Sequence, residues 1–570
     1  IRTALPFGAD KTTLTQLDAK LVEAWVRAAK DPDIFISRWL SFGAPAGIDH
    51  HAEHANVFPY SGRKLPPEDQ RDLNIDHERF CNYSSMEESP DGEQVLRGLV
   101  NNEFVREFGS YDDLCHHLHA VPVLSKLALI TNIKDGVKKF RLILDCRVSG
   151  ANDHAVQSER ILLPGAWHVL SDVLDMSSVG PGQVRRLFVC DFSDAFFMLP
   201  LGAAEQKYFV TSFQGRYYLW LRVAQGSING PNLFGRLSAL VGRCSQGCFD
   251  PASLRLHIYQ DDPCAILVGT ERECKRNVCI LMAVWIALGF KLAAHKAQYG
   301  IEVTWIGYVF NVMATLVRAS IKKSFMEDFA ASTMAVLAKN VISLRDLRRY
   351  AGQANHIGGL LYGWRPFLDT LWAAIAEADP TKPQIRETTK PNTRKKKTKK
   401  RTNAPQKMIW VKQIRSSLLW LNLFLLRQAG SIAREWHYEA YACDVTDLSM
   451  TLDASPFGLG GFLVKEGRII AWFACDIEEF DVRRFGYQRG DSKGQQVWEA
   501  LCILVALRAW SAHWMQRRLA LTIRADNVSA LTVASQLKAK RNRTLIAKEL
   551  SLLYSESSFE PAFFTHVPGV

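Results

Sequence analysis

Two adjacent aspartates, Asp261 and Asp262, stand inside an apolar stretch and constrain the fold of this chain more than any other feature. The stretch reads RLHIYQDDPCAILVG over residues 255–269. Apolar residues roughly alternate with polar ones before the pair, and the residues after it are almost wholly apolar, a pattern typical of two buried strands. The pattern therefore predicts a hairpin with Gln260 and Asp261 at its tip.

Two carboxylates held this close repel and raise each other's pKa, so the pair needs water or cations to neutralise it. A solvated turn is the simplest interpretation, since Asp is a common turn residue. A divalent-metal site is the alternative, because carboxylate oxygens are the ligands that Mg²⁺ prefers. The pair alone does not distinguish these two interpretations.

A second acidic stretch, RRLFVCDFSDAFFMLPL, places Asp191 at the end of an apolar strand and Asp194 one turn later. Two-metal phosphoryl transfer requires an arrangement of this kind, with an aspartate at a strand end near a hairpin tip that carries two more. Rigid elements are needed because the ions must stay in register with the phosphate.

The length and charge of the chain bound its organisation and its partners. Its 570 residues are too many for one core and predict three or four domains. The net charge of +12 suits a polyanion such as nucleic acid. The run RKKKTKKR at 394–401 holds seven basic residues in eight. This run fits a solvated linker, a template contact or a nuclear-import signal.

Twelve scattered cysteines predict buried thiols in a reducing compartment. We find no apolar run of 18 residues and no N-terminal leader. The expectation is an intracellular protein, cytoplasmic, nuclear or both, without a membrane segment. The stretches DHHAEH and CHHLH are weak candidates for zinc, since no partner cluster completes four ligands.

Six motifs follow one another in a fixed order after FRLILDCRVSGAN: VCDFSDAFF, KYFVTSF, VAQGSINGPNLFGRL, IYQDD, LGFKLAAHK and TWIGYVF. This series resembles the ordered motifs of reverse transcriptases. The resemblance implies a right-hand polymerase with fingers, palm and thumb, in which the paired aspartates bind metal. It replaces the solvated-turn interpretation.

The resemblance also implies roles for individual residues. Asp191, Asp261 and Asp262 would hold two Mg²⁺ ions, with Mn²⁺ as the alternative. The implied substrate-binding residues are Arg141, Phe192, Asp194, Phe196, Gln225, Gly226, Tyr259 and Lys296, with Lys134 or Lys138 assisting. The implied primer grip is Trp305, Gly307 and Tyr308. An ordinary surface or packing role is the alternative for Arg141, Lys296 and Tyr308.

Phe196 corresponds to the aromatic gate under the nucleotide sugar. A bulky ring there collides with a ribose 2′-hydroxyl, the group by which proteins separate RNA from DNA substrates. This residue favours deoxynucleotides as substrates.

A second resemblance covers the C-terminal block. MTLDASPFGLGGFLV, QQVWEALCILVALRAW and LTIRADNVSAL resemble a ribonuclease H domain, with Asp453, Glu499 and Asp526 as its metal ligands. THVPGV, with His566, resembles the segment that precedes a further metal-binding aspartate in relatives. The chain stops at Val570, which predicts a fragment of a longer polyprotein and leaves the nuclease activity open.

The predicted fold is α+β: a right-hand polymerase followed by an α/β ribonuclease H-like domain. The expected regions are a mostly helical, unassigned segment at 1–115, fingers and palm at 116–315, a helical thumb at 316–377, a basic flexible linker at 378–408, a connecting helical segment at 409–440 and the ribonuclease H-like domain at 441–570. Arg345, Arg348 and Arg349 are candidate phosphate contacts in the thumb.

The predicted activity is a retroelement DNA polymerase of a pol polyprotein that copies RNA and then DNA. Its expected partners are an RNA template, a DNA primer, RNA–DNA hybrid and deoxynucleoside triphosphates. One alternative is a domesticated or decayed copy that binds RNA or hybrid duplex without catalysis. An RNA-dependent RNA polymerase is a third hypothesis, against which Phe196 and the appended hybrid nuclease both argue.

Overall fold

A computed structural model describes residues 15–134, 137–176, 178–378, 407–429, 431–438, 448–514, 520–539, 542–556 and 560–568. The basic run at 394–401, nearly all of the expected linker and the side chain of Lys134 lie outside the described part.

The described residues form a mixture of helices and strands, as predicted. The helices are α1 (Ala19–Ala29), α2 (Phe35–Phe42), α3 (Ser84–Glu87), α4 (Gly92–Asn101), α5 (Tyr111–Leu118), α6 (Ala151–His154), α7 (Ala166–Asp175), α8 (Gly230–Gln246), α9 (Glu271–Leu288), α10 (Lys323–Leu337), α11 (Leu344–Leu360), α12 (Arg365–Ala378), α13 (Val411–Leu425), α14 (Glu479–Phe485), α15 (Gln495–Ala509), α16 (Val528–Gln536) and α17 (Arg543–Glu556).

The strands are β1 (Tyr60–Arg63), β2 (Val105–Phe108), β3 (Lys126–Lys134), β4 (Val137–Asp145), β5 (Gln157–Glu159), β6 (Val184–Val189), β7 (Val210–Phe213), β8 (Arg216–Trp220), β9 (Leu254–Tyr259), β10 (Asp262–Gly269), β11 (Gln298–Gly300), β12 (Glu302–Trp305), β13 (Tyr308–Val312), β14 (Leu316–Ile321), β15 (Val341–Ser343), β16 (Met408–Trp410), β17 (Ala433–His437), β18 (Leu448–Ala454), β19 (Gly458–Lys465), β20 (Arg468–Asp476), β21 (Ala520–Ala525) and β22 (Glu560–His566). None of the described helices is long and apolar enough to cross a membrane.

The chain divides into two compact units. The first comprises residues 1–169 and 179–306, and the second comprises residues 170–178 and 307–570. The division falls between Ile306 and Gly307, inside the TWIGYVF motif.

The first unit is built on a four-stranded antiparallel sheet in the order β11–β6–β10–β9. Asp262 pairs with Tyr259 across β9 and β10, so Gln260 and Asp261 form the tip, which confirms the predicted hairpin. We call residues 254–269 the aspartate hairpin. Gln260 has φ +55°, the left-handed region that a tight turn requires.

Helices α8 and α9 supply much of the core of the first unit. Pro231 is the second residue of α8, in the first turn, where a backbone N–H would have no partner within the helix. Thr270 and Glu273 form a capping box at the start of α9. Buried residues of α1 and α2, including Val22, Val26 and Trp39, join the same core. The described part of the unassigned region therefore packs into this unit, and it contains the short strands β1 and β2 beside its helices.

Three smaller sheets complete the first unit, one of which is the antiparallel pair β1 and β5. Strands β3 and β4 form an antiparallel ribbon, and β8 lies between β2 and β7. The motif KYFVTSF ends on β7, and FRLILDC ends just after β4.

The second unit contains a mostly helical part and a C-terminal sheet block, and α12 of the first part contacts α17 of the second. In chain order, helices α10 to α13 come between strands β14 and β17. Strand β14 pairs antiparallel with both β13 and β17. The C-terminal block is a five-stranded sheet in the order β20–β19–β18–β21–β22. Strands β18, β21 and β22 are parallel, and β19 and β20 run antiparallel to their neighbours. Helix α15 is buried along most of its length and packs with the apolar side of this sheet.

Candidate active sites

The tip of the aspartate hairpin lies beside the chain segment that follows β6. The Phe192 backbone N–H donates to the Asp261 carbonyl at 2.9 Å, and the Cys190 N–H donates to the Pro263 carbonyl at 3.3 Å. These bonds bring Asp191 next to Asp261 and Asp262, as the sequence predicted. The buried Phe192 ring packs against Phe290 with 4.6 Å between ring centroids, which secures this segment.

Burial and mutual repulsion act on the paired carboxyl groups. Burial raises the pKa of Asp262 to about 7, and the charges of Asp261 and Asp191 add to the rise. Burial also raises the pKa of Asp261, together with the charge of Asp191, while Lys296 and Arg141 oppose the rise. Carboxylates held in such surroundings favour a bound cation, because the cation offsets both penalties.

Lys296 and Arg141 bring positive charge to this site. The Lys296 ammonium donates a hydrogen bond to the Asp191 carboxylate. The exposed Arg141, on β4, is close enough to lower the pKa of Asp261. The Lys138 ammonium lies 3.7 Å from the Asp91 carboxylate, with which it forms an ion pair.

Asp194 and Phe196 follow Asp191 on a tight turn. Asp194 has φ +58° and is exposed, with its carboxylate 3.5 Å from the Lys291 ammonium. The half-buried Phe196 ring lies 5.6 Å from the Phe234 ring. The Asp194–Lys291 pair was not anticipated, although Lys291 lies in the quoted LGFKLAAHK motif.

Gln225 and Gly226 lie on the loop before α8. Gly226 has φ +129°, and a Cβ there would come within 1.9 Å of the Leu144 carbonyl oxygen. The Leu144 N–H donates to the Gln225 carbonyl at 3.0 Å. A side chain at position 226 would therefore collide with the backbone at the end of β4, which by itself requires glycine there. The substrate-binding role that the resemblance implies for Gly226 stays a prediction.

Trp305, in the first unit, supports the aspartate hairpin. Its indole N–H donates to the Asp262 carbonyl at 2.8 Å, and its ring is buried, with 1% exposed. Tyr259 presents its ring at right angles to the Trp305 ring, with 6.4 Å between centroids.

Gly307 and Tyr308 belong to the second unit and contact α11. The Tyr308 hydroxyl donates to the His356 carbonyl at 2.8 Å, and its ring stacks on the His356 ring at 4.5 Å. Gly307 has φ +86°, and a Cβ there would come within 2.9 Å of His356 Nε2. The candidate phosphate contacts Arg345, Arg348 and Arg349 are all exposed on the same helix.

The C-terminal block brings Asp453, Glu499 and Asp526 together. Each offers a carboxylate oxygen within 4.8 Å of the others, and we call the three the carboxylate cluster. Asp453 lies on β18, Glu499 on α15, and Asp526 directly after β21. The parallel pairing of β18 with β21 explains the convergence, because Leu452 lies opposite Ala525.

Glu499 is the buried member of the cluster. The pKa of Glu499 is raised to about 7, chiefly by burial and in part by the charges of Asp526 and Asp453. The Gln495 amide opposes this rise by donating to Glu499 Oε1 at 2.6 Å. Gln495 was not anticipated as a site residue, although its position four residues before Glu499 on a helix was the available signal. The exposed His566 contacts the Asp526 carbonyl at 2.9 Å.

The two sites differ in spacing. Among the residues that the structure describes, the carboxylate cluster alone brings three acidic, histidine or cysteine ligand atoms within 4.8 Å of one another. The aspartates around the hairpin are wider apart than that limit. The stretches DHHAEH and CHHLH do not form such a group.

The comparisons with known proteins bear on the first site. Residues 134–310 match the family model described as "Reverse transcriptase (RNA-dependent DNA polymerase)". The Gag-Pol polyprotein of Walleye dermal sarcoma virus is 27% identical over 180 residues, which are 31% of this chain and 9% of that protein. The Gag-Pol polyprotein of Koala retrovirus is 28% identical over 185 residues, 31% of this chain and 10% of that protein.

Among solved structures, the foamy viral protease–reverse transcriptase in complex with double-stranded DNA is 14% identical. The match covers 90% of this chain and 76% of that one, with a TM-score of 0.43.

The match at 134–310 contains both strands of the aspartate hairpin, Asp191 and Lys296. The viral relatives align to the chain over only a small fraction of their own length. The chain therefore carries, over residues 134–310, a reverse transcriptase domain of the kind found in retroviral pol polyproteins.

Proposed function

We propose that this chain adds deoxynucleotides to a primer on an RNA or DNA template by two-metal phosphoryl transfer. One observation carries the proposal. The half-buried tip of the aspartate hairpin lies directly beside Asp191, inside the segment that matches the reverse transcriptase family. The proposed partners are template, primer and deoxynucleoside triphosphates, which would place the protein in the cytoplasm or the nucleus.

The three aspartates around the hairpin are the proposed metal ligands. Their oxygens are the hard donors that Mg²⁺ prefers, and the raised pKa values of Asp261 and Asp262 fit a site designed for positive charge. Divalent cations bound there would lower the pKa of the primer hydroxyl and neutralise charge on the leaving pyrophosphate. The backbone bond from the Phe192 N–H to the Asp261 carbonyl supports the placement of Asp191 beside Asp261.

Positive side chains complete the proposed nucleotide site. Arg141, on the β3–β4 ribbon, would contact the triphosphate through its forked guanidinium. Lys296, which contacts Asp191, would hold a proton near the leaving group. Phe196 would lie under the sugar and exclude the ribose 2′-hydroxyl.

The carboxylate cluster supports a second proposed activity, cleavage of the RNA strand of RNA–DNA hybrids. Asp453, Glu499 and Asp526 are close enough to share divalent cations, which suits phosphodiester hydrolysis. Glu499 would bind cations as the ionised carboxylate, held in place by Gln495.

Primer extension tests the polymerase proposal. The purified chain would be given an RNA template, a DNA primer, Mg²⁺ and deoxynucleotides, beside an Asp261→Asn, Asp262→Asn double variant. We expect extension that the double variant loses and that ribonucleotides do not support. An absence of extension, with equal hybrid binding by both proteins, would instead favour a decayed element that only binds nucleic acid.

A further inference from the structure

Helix α8 holds the aspartate hairpin directly. The Ser238 hydroxyl donates to the Gln260 carbonyl, and the Gln260 side-chain amide donates to the Pro231 carbonyl at 3.2 Å. Gln260 is the left-handed residue of the turn and precedes Asp261. The position of α8 therefore determines the backbone that carries Asp261.

Two arginines of α8 also contact the chain at residues 15–58, which we call the N-terminal segment. Arg236 is buried, with 1% exposed, and so is Asp33, with 0% exposed. Arg236 Nε and Nη2 donate to the two Asp33 carboxylate oxygens at 2.8 and 2.6 Å. Arg236 Nη1 donates to the Glu53 carbonyl at 2.5 Å, and the Trp39 ring covers the guanidinium at 4.4 Å. Only arginine offers this planar fork of donors.

A second pair fastens the same turn of the N-terminal segment farther along α8. Arg243 Nε and Nη2 donate to the Asp31 carboxylate oxygens at 2.7 and 2.8 Å. The Asp31 carboxylate also accepts the Asp33 N–H at 2.9 Å, so the two pairs share one turn. Arg243 lies seven residues beyond Arg236, about 10 Å along the helix, and its side chain is 36% exposed.

The N-terminal segment is also anchored at its other contacts with this unit. The Asp18 N–H donates to the Leu288 carbonyl at the end of α9 at 2.9 Å. The Thr15 hydroxyl donates to the Met198 carbonyl at 2.5 Å. The segment is thus fixed independently of α8 and offers α8 a stationary partner.

We infer that Arg236 is a positioning residue for DNA synthesis, and this inference rests on the proposed polymerase function. Through Asp33, the N-terminal segment holds α8 where Ser238 fixes the turn that carries Asp261. The N-terminal segment lies outside the matched residues 134–310. The polymerase of this chain therefore depends on a segment that the family match does not include.

Loss of the paired hydrogen bonds from Arg236 to Asp33 is expected to displace the aspartate hairpin slightly while the fold persists. Arg236→Lys keeps the buried charge but cannot make both bonds to Asp33. A misplacement of about 1 Å at a reacting group costs up to roughly 10²-fold in rate. The effect should fall on kcat, since Arg236 is buried and is not among the proposed nucleotide or primer contacts.

The test is a double-variant cycle in primer extension. We expect Arg236→Lys to lower kcat at least about tenfold with KM for deoxynucleotide nearly unchanged. Ser238→Ala removes one of the two hydrogen bonds between α8 and the hairpin and should lower kcat about threefold or more. The double variant should be no slower than Arg236→Lys alone, because both changes break one connection. Arg243→Lys is the matched comparison and should lower kcat less than Arg236→Lys does, because Arg243 lies farther from Ser238 along α8 and is partly exposed.

Additive losses in the double variant, or an equal loss in Arg243→Lys, would overturn the inference. Asp33→Asn removes the same fork from its other side and replaces Arg236→Lys if that variant fails to fold. Hydrogen exchange of the peptide at 255–264 gives a readout independent of activity. It should speed up more in Arg236→Lys than in Arg243→Lys. If the parent chain extends no primer, the proposed function fails, and unchanged exchange would then reject the positioning role separately.

Discussion

The aspartate hairpin and the carboxylate cluster gather acidic groups in two different ways. The hairpin presents two adjacent aspartates on one turn and meets Asp191 from the segment after β6. The cluster draws one carboxylate each from a strand, a helix and the end of another strand, all within 4.8 Å. An ammonium, from Lys296, contacts the first site, whereas an amide, from Gln495, contacts the second.

This difference shows how each site balances its own repulsion. The charges of Lys296 and Arg141 limit the rise in the pKa of Asp261, so the protein itself neutralises part of the hairpin's charge. The rise in the pKa of Glu499 is opposed by hydrogen bonds from the Gln495 amide and from the backbone at Ala454. The cluster should therefore depend more completely on bound cations than the hairpin does.

The largest expected effect is the loss of primer extension in Asp261→Asn. The change removes a proposed metal ligand, and extension should fall roughly 10³-fold or more. Single-turnover extension on an RNA template measures it. Hybrid binding should stay at the parental level, since the amide preserves the size of the side chain. Extension within about threefold of the parent would separate the hairpin from catalysis.

The corresponding change in the other site is Glu499→Gln. RNA cleavage in an RNA–DNA hybrid should fall roughly 10² to 10³-fold, because the amide cannot supply the carboxylate charge. The matched control is Glu466→Gln, an exposed carboxyl at the β19–β20 turn. Cleavage by Glu499→Gln as fast as cleavage by the Glu466→Gln control would contradict the assignment.

A smaller effect is expected on nucleotide choice. Phe196→Ala should raise the ratio of ribonucleotide to deoxynucleotide incorporation about 10 to 100-fold, because the ring no longer excludes the 2′-hydroxyl. Competitive incorporation from mixed nucleotides measures the ratio. Phe196→Tyr keeps the ring and should keep the parental ratio. Equal ratios in all three proteins would remove Phe196 from the sugar site.

The smallest effect concerns stability against pH in the presence of a chelator. Burial raises the pKa of Asp262 and Glu499 to about 7, from ordinary values of 3.8 and 4.5. The folded state thus binds these protons more tightly than the unfolded chain. Their stabilising contribution is complete below about pH 4 and is lost as the pH rises to about 7.

The neutral side chains in Asp262→Asn and Glu499→Gln cannot ionise, so these variants do not lose stability at these positions as the pH rises. Each should raise the unfolding free energy over that of the parent by about 1–2 kcal/mol at pH 8, and by little at pH 4. Thermal unfolding at the two pH values measures the difference, with Glu466→Gln as the unchanged control. A larger gain at pH 4 than at pH 8 would reverse the sign of the argument.

Local patterns in the sequence predicted much of both sites. The hairpin at Gln260–Asp261 followed from apolar periodicity on both sides of the aspartates. The convergence of Asp453, Glu499 and Asp526 was expected from the resemblance of their three motifs to a ribonuclease H domain. Burial of the hairpin beside Asp191 was likewise expected.

Long-range contacts were beyond that reading. Arg236 and Asp33 are 203 residues apart, and no periodic pattern indicates which acid a buried arginine will meet. The bond from the Trp305 indole to the Asp262 carbonyl is equally invisible, because it ends on the backbone. The same applies to Gly226, whose constraint comes from the Leu144 carbonyl in another strand. Tertiary packing decides these contacts.

One assay tests the central claim of two independent metal-dependent sites most directly. A labelled DNA primer on a differently labelled RNA template, with Mg²⁺ and deoxynucleotides, reports primer growth and template shortening together. The account predicts both events in the parent, shortening without growth in the Asp261→Asn, Asp262→Asn variant, and growth without shortening in Glu499→Gln. Primer growth in the double aspartate variant equal to that of the parent would contradict it.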